Sequence, residues 1–189
     1  SGYPFMVFLA VFAIAMPFAG SLMARWGPRR TTMLGGFLVG TGWILASFSP
    51  NITILTILYG VIGGAGVGIV YGCPISVVAK WFPQKSGLAI GLTVMGFGIS
   101  ALLIAPLIKT MIDNPSIGIP NTFLYLGIAF MVVVMLLAQL LSFPPAGWTS
   151  AGIKTAFAAT SAEPTPDFSR QEMLKTRNFY ALWTIYTIG

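Results

Sequence analysis

The sequence predicts an all-α fold, a polytopic bundle of transmembrane helices. Charged residues make up 7% of the 189-residue chain, whereas soluble globular domains carry about 25%. The stretch from Thr31 to Ala79 contains no Asp, Glu, Lys or Arg, and at about 20 residues per crossing it is long enough for two helices. The mean hydropathy is +0.87. A soluble core does not explain so much apolar sequence, so we expect the lipid bilayer to surround the chain.

The uncharged runs predict five complete spans and the start of a sixth. Turn residues limit them, because Pro50 and Asn51 interrupt the long uncharged stretch and Pro144 ends the fifth span. The predicted spans are Tyr3 to Met23, Thr32 to Phe48, Ile52 to Ala79, Leu88 to Ile108, Phe123 to Phe143, and Phe179 onward.

These spans divide the chain into a bundle over residues 1–143, a loop over 144–178 and the start of another helix over 179–189. Ser169 and Glu172 fit a capping box, which predicts a short helix within the loop. The first span lacks the basic region and cleavage site of a signal peptide. Since the chain opens without Met and closes inside an apolar run, we expect it to be an internal fragment of a larger protein.

The basic residues predict which side of the membrane each loop occupies. If the spans alternate, only Lys109 falls on one side, and basic residues in short loops remain in the cytoplasm. The other side is therefore predicted to be cytoplasmic, and the same topology explains the net charge of +6 without a nucleic-acid partner. Its basic residues are Arg25, Arg29, Arg30, Lys80, Lys85, Lys154, Arg170, Lys175 and Arg177.

Residues for catalysis or metal binding are scarce. The chain has no His, a single cysteine at Cys73, and no Asp or Glu within the five complete spans. An enzyme embedded in the membrane needs a nucleophile, a metal cluster or carboxylates at membrane depth. We therefore predict no enzymatic activity, no metal site and no cofactor, and the sequence leaves any coupling ion open.

A ladder of glycines at i, i+4 spacing runs along the third span. Such a stripe has no side chains, so a neighbouring helix can approach closely. Static packing and a smooth surface for helix movement are both consistent with this pattern. The four positions are Gly60, Gly64, Gly68 and Gly72.

Three prolines lie inside predicted spans. Each removes a backbone hydrogen bond, so each predicts a kink in its helix. Proline is also commoner in membrane helices than in soluble ones. The positions are Pro17, Pro74 and Pro106.

The segment GSLMARWGPRR at residues 20–30 is the strongest motif in the chain. A basic cytoplasmic loop explains its arginines but not its glycines and leucine at these offsets. The segment resembles the loop signature of the major facilitator superfamily, G-x-L-x-D-R-x-G-x-R-R, which joins the second and third helices of that fold on the cytoplasmic side. The resemblance implies a gating loop formed by Gly20, Arg25, Gly27, Arg29 and Arg30.

The same resemblance numbers the predicted spans as helices 2 to 6 and the start of helix 7. The chain would then be an N-terminal half without helix 1, and its partner would be the C-terminal half of the same chain. Ala24 stands where the family places Asp. The third span also lacks the Arg that often interacts with this Asp, which puts the charge relay of that family in doubt.

Two further segments resemble oxalate/formate antiporters. GAGVGIVYG at 64–72 and KWFPQKSGLAIG at 80–91 are similar to helix 4, the following loop and helix 5, and MLKT at 173–176 matches the sequence before helix 7. The Trp-Phe-Pro loop is shared with monocarboxylate carriers. The resemblance implies a secondary transporter in the plasma membrane that moves a small organic anion, a mono- or dicarboxylate, by alternating access.

In that family the position matching Tyr71 lines the substrate cavity, so the resemblance implies that Tyr71 contacts the substrate. A phenol can donate a hydrogen bond to a carboxylate, although a tyrosine that only packs is the alternative. Helix 2 here lacks the glutamines of oxalate carriers, which disfavours oxalate in particular. A carrier of another small solute and a non-transporting sensor on the same scaffold remain alternatives.

Overall fold

The computed structural model describes residues 2–145, and these form helices without a strand. The predicted all-α bundle is confirmed. The predicted short helix at Ser169 and the helix from residue 179 lie outside the described range. The elements are α1 (Tyr3–Ala46), α2 (Ile52–Leu55), a π-helical segment (Thr56–Gly63), α3 (Gly64–Trp81), a 3-10 turn (Pro83–Lys85), α4 (Ser86–Asp113) and α5 (Gly118–Ala138).

Four helical stretches in residues 2–145 are long and apolar enough to cross a membrane. The longest is α1 with 44 residues, about 66 Å at 1.5 Å per residue and twice the bilayer's apolar thickness of about 30 Å. This helix is interrupted at Gly27, where φ is 78° and ψ is 168°. We call residues 3–26 the first limb and residues 28–46 the second limb. The sequence predicts a loop over residues 24–31, whereas the structure has a tight turn at one glycine.

The first limb of α1 runs parallel to α3. A methyl group built on Gly64 would lie 2.8 Å from the Phe8 carbonyl oxygen, and one built on Gly68 would lie 2.7 Å from that of Phe12. Residue numbers rise together along both helices, so the two point the same way.

The second limb runs antiparallel to the same part of the bundle. A methyl group on Gly35 would lie 2.7 Å from a Val70 methyl group, whereas one on Gly42 would lie 2.8 Å from the Gly63 nitrogen. Both limbs therefore pack along the helix that holds the glycine ladder, and α1 folds back on itself at Gly27. The described range thus has five apolar segments where five spans are predicted.

The glycine ladder lies along the contact with the first limb, and the contact loosens toward one end. A side chain at Gly68 would clash with the Phe12 carbonyl group, because real Cβ atoms do not approach backbone atoms within 3.0 Å. At Gly72 the nearest atom to an added methyl group is the Ala19 Cβ, at an ordinary 3.4 Å. Glycine is thus required at position 68 and is replaceable at position 72.

A second glycine pair, on the second limb, packs against α5 and was missed by sequence reasoning. A methyl group on Gly36 would lie 2.5 Å from a Val134 methyl group, and one on Gly40 would overlap Met131. The spacing of four residues is that of the ladder, so the same pattern indicates this interface. The second limb is therefore held between α3 and α5.

The predicted third span, Ile52 to Ala79, is a composite rather than one α-helix. It begins at α2, where the Asn51 side chain accepts a hydrogen bond of 2.9 Å from the Ile54 amide. It then widens into the π-helical segment before α3. Such segments are rare, and they occur frequently at functional sites.

The three prolines predicted to kink helices lie inside α1, α3 and α4. The helix continues through Pro17, and the dihedral break in α1 lies at Gly27 instead. A bend at each proline stays a prediction.

We expect Gly68→Ala to destabilise the bundle, because the methyl group would meet the Phe12 backbone. Overpacking of this kind costs about 1–3 kcal/mol. The matched control is Gly72→Ala, which has room for a methyl group and gains about 1 kcal/mol of helix propensity. Thermal unfolding in detergent measures both, and equal melting temperatures would show that the close contact does not limit stability.

The orientation can be tested at two exposed loop residues, Ser116 between α4 and α5 and Gln84 between α3 and α4. In intact cells, an impermeant thiol reagent should label Ser116→Cys and leave Gln84→Cys unlabelled. Cys73 is fully buried, so the unmodified protein serves as the blank. Labelling of Gln84→Cys alone would reverse the predicted orientation.

Candidate functional site

Tyr71 lies on α3 at a cleft between α3 and α4. Its ring is half-buried and meets the ring of Phe12, from the first limb, edge-on at 5.5 Å between centroids. It meets Phe97 of α4 in the same manner at 5.6 Å. Edge-to-face pairs at these distances are favourable, so the two contacts hold the Tyr71 ring between the first limb and α4.

The Tyr71 cleft has a volume of about 180 Å³ and an almost wholly apolar wall. The two hydroxyl groups at the cleft differ in whether they are free to donate a hydrogen bond. The Thr93 hydroxyl donates to the Ala89 carbonyl oxygen within α4 at 2.8 Å, whereas the Tyr71 hydroxyl has no hydrogen-bond partner among residues 2–145. The apolar lining residues are Val70, Pro74, Ile75, Val94 and Phe97.

A second cleft meets the first at Thr93, which lines both. Its volume is about 390 Å³, and it extends toward the loop between α3 and α4, where Phe82 and Lys85 line it. Lys85 is exposed. Of the side chains that line either cleft it alone is charged, so the Tyr71 cleft itself presents no charge from the described part of the chain.

The predicted gating loop lies around the turn of α1, apart from the Tyr71 cleft. The turn is fixed by Thr31, which is fully buried and donates a hydrogen bond of 2.8 Å to the Gly27 carbonyl oxygen. Pro28 follows Gly27 and is buried, in a position where proline suits the first turn of a helix. The side chains of Arg25, Arg29 and Arg30 are exposed.

The three arginines of the turn form no ion pair with any residue between 2 and 145. Ala24, which stands where the superfamily signature has Asp, is itself exposed. The structure therefore brings Tyr71 and Pro74 together at one cleft and places the arginines elsewhere.

A contact missed by sequence reasoning ties the end of α3 to the residues that follow α5. The Trp81 indole nitrogen donates to the Ser142 carbonyl oxygen at 2.8 Å, across 61 residues of sequence. The adjacent Lys80 ammonium group lies 3.9 Å from the centroid of the Phe143 ring, a cation–π geometry. No local pattern indicates such a distant partner. These contacts hold residues 142 and 143 against the end of α3.

A second missed feature is an aromatic cluster at the opposite end of the bundle. Trp43 of the second limb lies 5.5 Å from Tyr59 of the π-helical segment, and 5.2 and 5.3 Å from Phe123 and Phe130 of α5, between ring centroids. Aromatic pairs at such distances add to helix packing. The buried indole N–H of Trp43 has no hydrogen-bond partner within residues 2–145.

Metal ligands do not cluster in the part of the chain that the structure describes. Cys73 is fully buried and its thiol donates to the Ile69 carbonyl oxygen within α3. We therefore identify the Tyr71 cleft as the candidate functional site.

Comparison with known proteins gives one family and several relatives. The model of the Major Facilitator Superfamily matches residues 1–189. The chain is 34% identical over 172 residues to the oxalate:formate antiporter of Oxalobacter formigenes, covering 91% of this chain and 38% of that protein. It is 33% identical to monocarboxylate transporter 13 of Rattus norvegicus over 56% of this chain and 25% of the relative.

A further relative is apicoplast pyruvate carrier 1 of Toxoplasma gondii, 26% identical over 95% of this chain and 42% of the relative. The chain thus spans less than half the length of each of these three proteins.

We expect Gly27→Ala to destabilise the turn of α1. The observed dihedral angles belong to a region that only glycine occupies readily, and forcing another residue there costs about 1–3 kcal/mol. The control is Gly20→Ala, since both glycines have open space around an added methyl group and only Gly27 has a positive φ. A lower melting temperature for Gly27→Ala than for Gly20→Ala is expected. Equal values would indicate that the turn tolerates a side chain.

Proposed function

The chain belongs to the major facilitator superfamily, and on this premise we propose that it forms part of a secondary transporter for a small organic anion in the plasma membrane. Membership of a superfamily of carriers argues against an enzyme. The names of the relatives support a carboxylate as the substrate, because they specify oxalate, formate, monocarboxylates and pyruvate.

The observation that carries the proposal is the unpartnered Tyr71 hydroxyl in a nearly apolar cleft. The Tyr71 hydroxyl is not among the buried unpaired groups of residues 2–145, so it is accessible from the cleft, and a carboxylate oxygen can accept its hydrogen bond. Phe12 and Phe97 hold the ring, so the hydroxyl loses little conformational entropy when it binds a ligand. Tyr71 is therefore the proposed substrate contact.

Alternating access requires one half of the carrier to rock against the other around a fixed site. The packing of both limbs of α1 against one helix supports movement of this half as a unit. In the proposal, the turn at Gly27 acts as a latch between the halves, since its arginines are exposed and free of ion pairs within residues 2–145. The latch comprises Gly20, Arg25, Gly27, Arg29 and Arg30.

Positive charge for the anion has to come from outside the Tyr71 cleft, because no cation lines it among the described residues. A carboxylate moved into an apolar site without a paired charge pays a desolvation cost of several kcal/mol. We propose that the second half of the carrier provides this charge. Tyr71 then contributes orientation and selectivity.

We expect Tyr71→Phe in the full-length protein to weaken carboxylate binding by about 10-fold to 150-fold. The range corresponds to the loss of one hydrogen bond to a charged group, about 1.5–3 kcal/mol. Titration calorimetry in detergent measures the dissociation constant. Phenylalanine keeps the ring contacts with Phe12 and Phe97, so the fold should be preserved.

The matched control is Tyr125→Phe on α5, where the side chain is exposed and lies outside both clefts. Its dissociation constant should equal that of the wild type. If Tyr71→Phe also leaves binding unchanged, Tyr71 is a packing residue and the proposed site is wrong.

A further inference from the structure

A buried donor without an acceptor lies beside the π-helical segment. The indole nitrogen of Trp43 is buried by residues 2–145 alone, and none of them accepts its hydrogen bond. Leaving a buried donor unpaired costs free energy, so a group of this kind requires an explanation. Because the described residues already enclose the nitrogen, an acceptor from elsewhere in the protein cannot reach it without movement of the bundle.

The Trp43 indole and a backbone carbonyl group of the π-helical segment face the same space. A methyl group built on Gly63 would lie 3.7 Å from the Trp43 nitrogen and 3.9 Å from the Leu58 carbonyl oxygen. In the π pattern that oxygen accepts from the N–H group five residues later, which is that of Gly63. A carbonyl oxygen has two lone pairs, so Leu58 keeps one that a change of backbone pattern can turn toward the indole.

The two ends of the π-helical segment differ in how firmly they are held. After the segment, α3 is fixed by close backbone contacts, since a methyl group on Gly66 would lie 2.6 Å from the Val39 nitrogen and one on Gly68 would lie 2.7 Å from the Phe12 carbonyl oxygen. Before the segment, α2 has four residues and none of them is buried. A change between π and α hydrogen bonding alters the number of residues per turn. The resulting displacement therefore falls on α2 rather than on α3.

We infer that α2 and the π-helical segment form a conformational switch at the end of the bundle opposite the Gly27 turn. In the second state the segment is α-helical, α2 has moved, and the Trp43 indole N–H donates to the Leu58 carbonyl oxygen. Few contacts hold α2, so the pairing gained by the indole offsets the contacts that are lost. The switch concerns movement of the bundle and does not depend on which substrate the protein carries.

Glycines around the segment permit this movement. A methyl group on Gly42, from the second limb, would lie 2.8 Å from the Gly63 nitrogen and 2.9 Å from the Leu58 carbonyl oxygen. The second limb thus presents a surface without a side chain to the backbone that moves. Glycine also changes its backbone angles at little steric cost. Three glycines lie in or next to the segment, at Gly60, Gly63 and Gly64.

The test observes the indole N–H resonances of the full-length protein in detergent after isotope labelling of its tryptophans. The Trp43 resonance is the one that Trp43→Phe removes. A second state populated to about 0.1–10% and exchanging in microseconds to milliseconds should give this resonance a relaxation dispersion. The resonance of the second state should lie downfield, because a hydrogen bond deshields the indole proton.

Two deletions in the same span separate a switch from a fixed irregularity. Deletion of Ile57, an exposed residue of the π-helical segment, lets the remaining residues form α turns while α2 and α3 keep their places. Trp43 should then give a single downfield resonance, and the melting temperature should be at least that of the wild type. The matched control is deletion of Val67 in α3, which should lower the melting temperature because Gly66 or Gly68 loses its register with its partner.

A Trp43 resonance without dispersion in the wild type, or an Ile57 deletion that destabilises the protein as much as the Val67 deletion, would overturn the switch. An Ile57 deletion that folds but leaves the Trp43 resonance unshifted would overturn the role of Trp43 as its donor. These outcomes do not involve anion binding, so the proposed function is judged separately by Tyr71→Phe.

Discussion

The close approach of helix backbones along α3 is the constraint on which the rest of the structure depends. Lipid tails are as apolar as leucine, so helices in a membrane associate through packing rather than through the hydrophobic effect. At Gly68 the first limb of α1 comes within contact distance of the backbone, and this sets the position of Phe12. The Phe12 ring in turn meets Tyr71. The position of the Tyr71 ring in the candidate site thus depends on Gly68, which has no side chain.

The sequence predicts the number of apolar segments and their approximate limits, because charges and turn residues mark where the chain can meet water. It also identifies the glycine ladder. It does not say which helix each glycine meets, since a periodic pattern describes one surface and a contact needs two. The sequence likewise does not predict the π-helical segment, because nothing in the residues from Thr56 to Gly63 favours that hydrogen-bonding pattern over an α-helix.

The candidate site is predicted only in part, because a sequence pattern identifies single residues and not the residues that contact them. A family resemblance implies a role for Tyr71, but its neighbours Val94 and Phe97 come from α4, and their approach is a tertiary feature. The sequence shows a threonine at position 93 but not its hydrogen bond. Its hydroxyl donates to the Ala89 carbonyl oxygen within α4, so the proton is not available to a ligand in the cleft. The contact between Trp81 and Ser142 joins residues too distant for any local rule.

The π-helical segment makes the direction of Tyr71 depend on backbone hydrogen bonds well upstream of it. A π turn takes in more residues than an α turn, whose residues advance by about 100° each. The side chains after Gly63 therefore point in different directions around the helix axis from those they would have in an uninterrupted α-helix beginning at Ile52. A change from π to α hydrogen bonding there would therefore turn the Tyr71 ring relative to the residues before Thr56, although no side chain of the cleft had been altered.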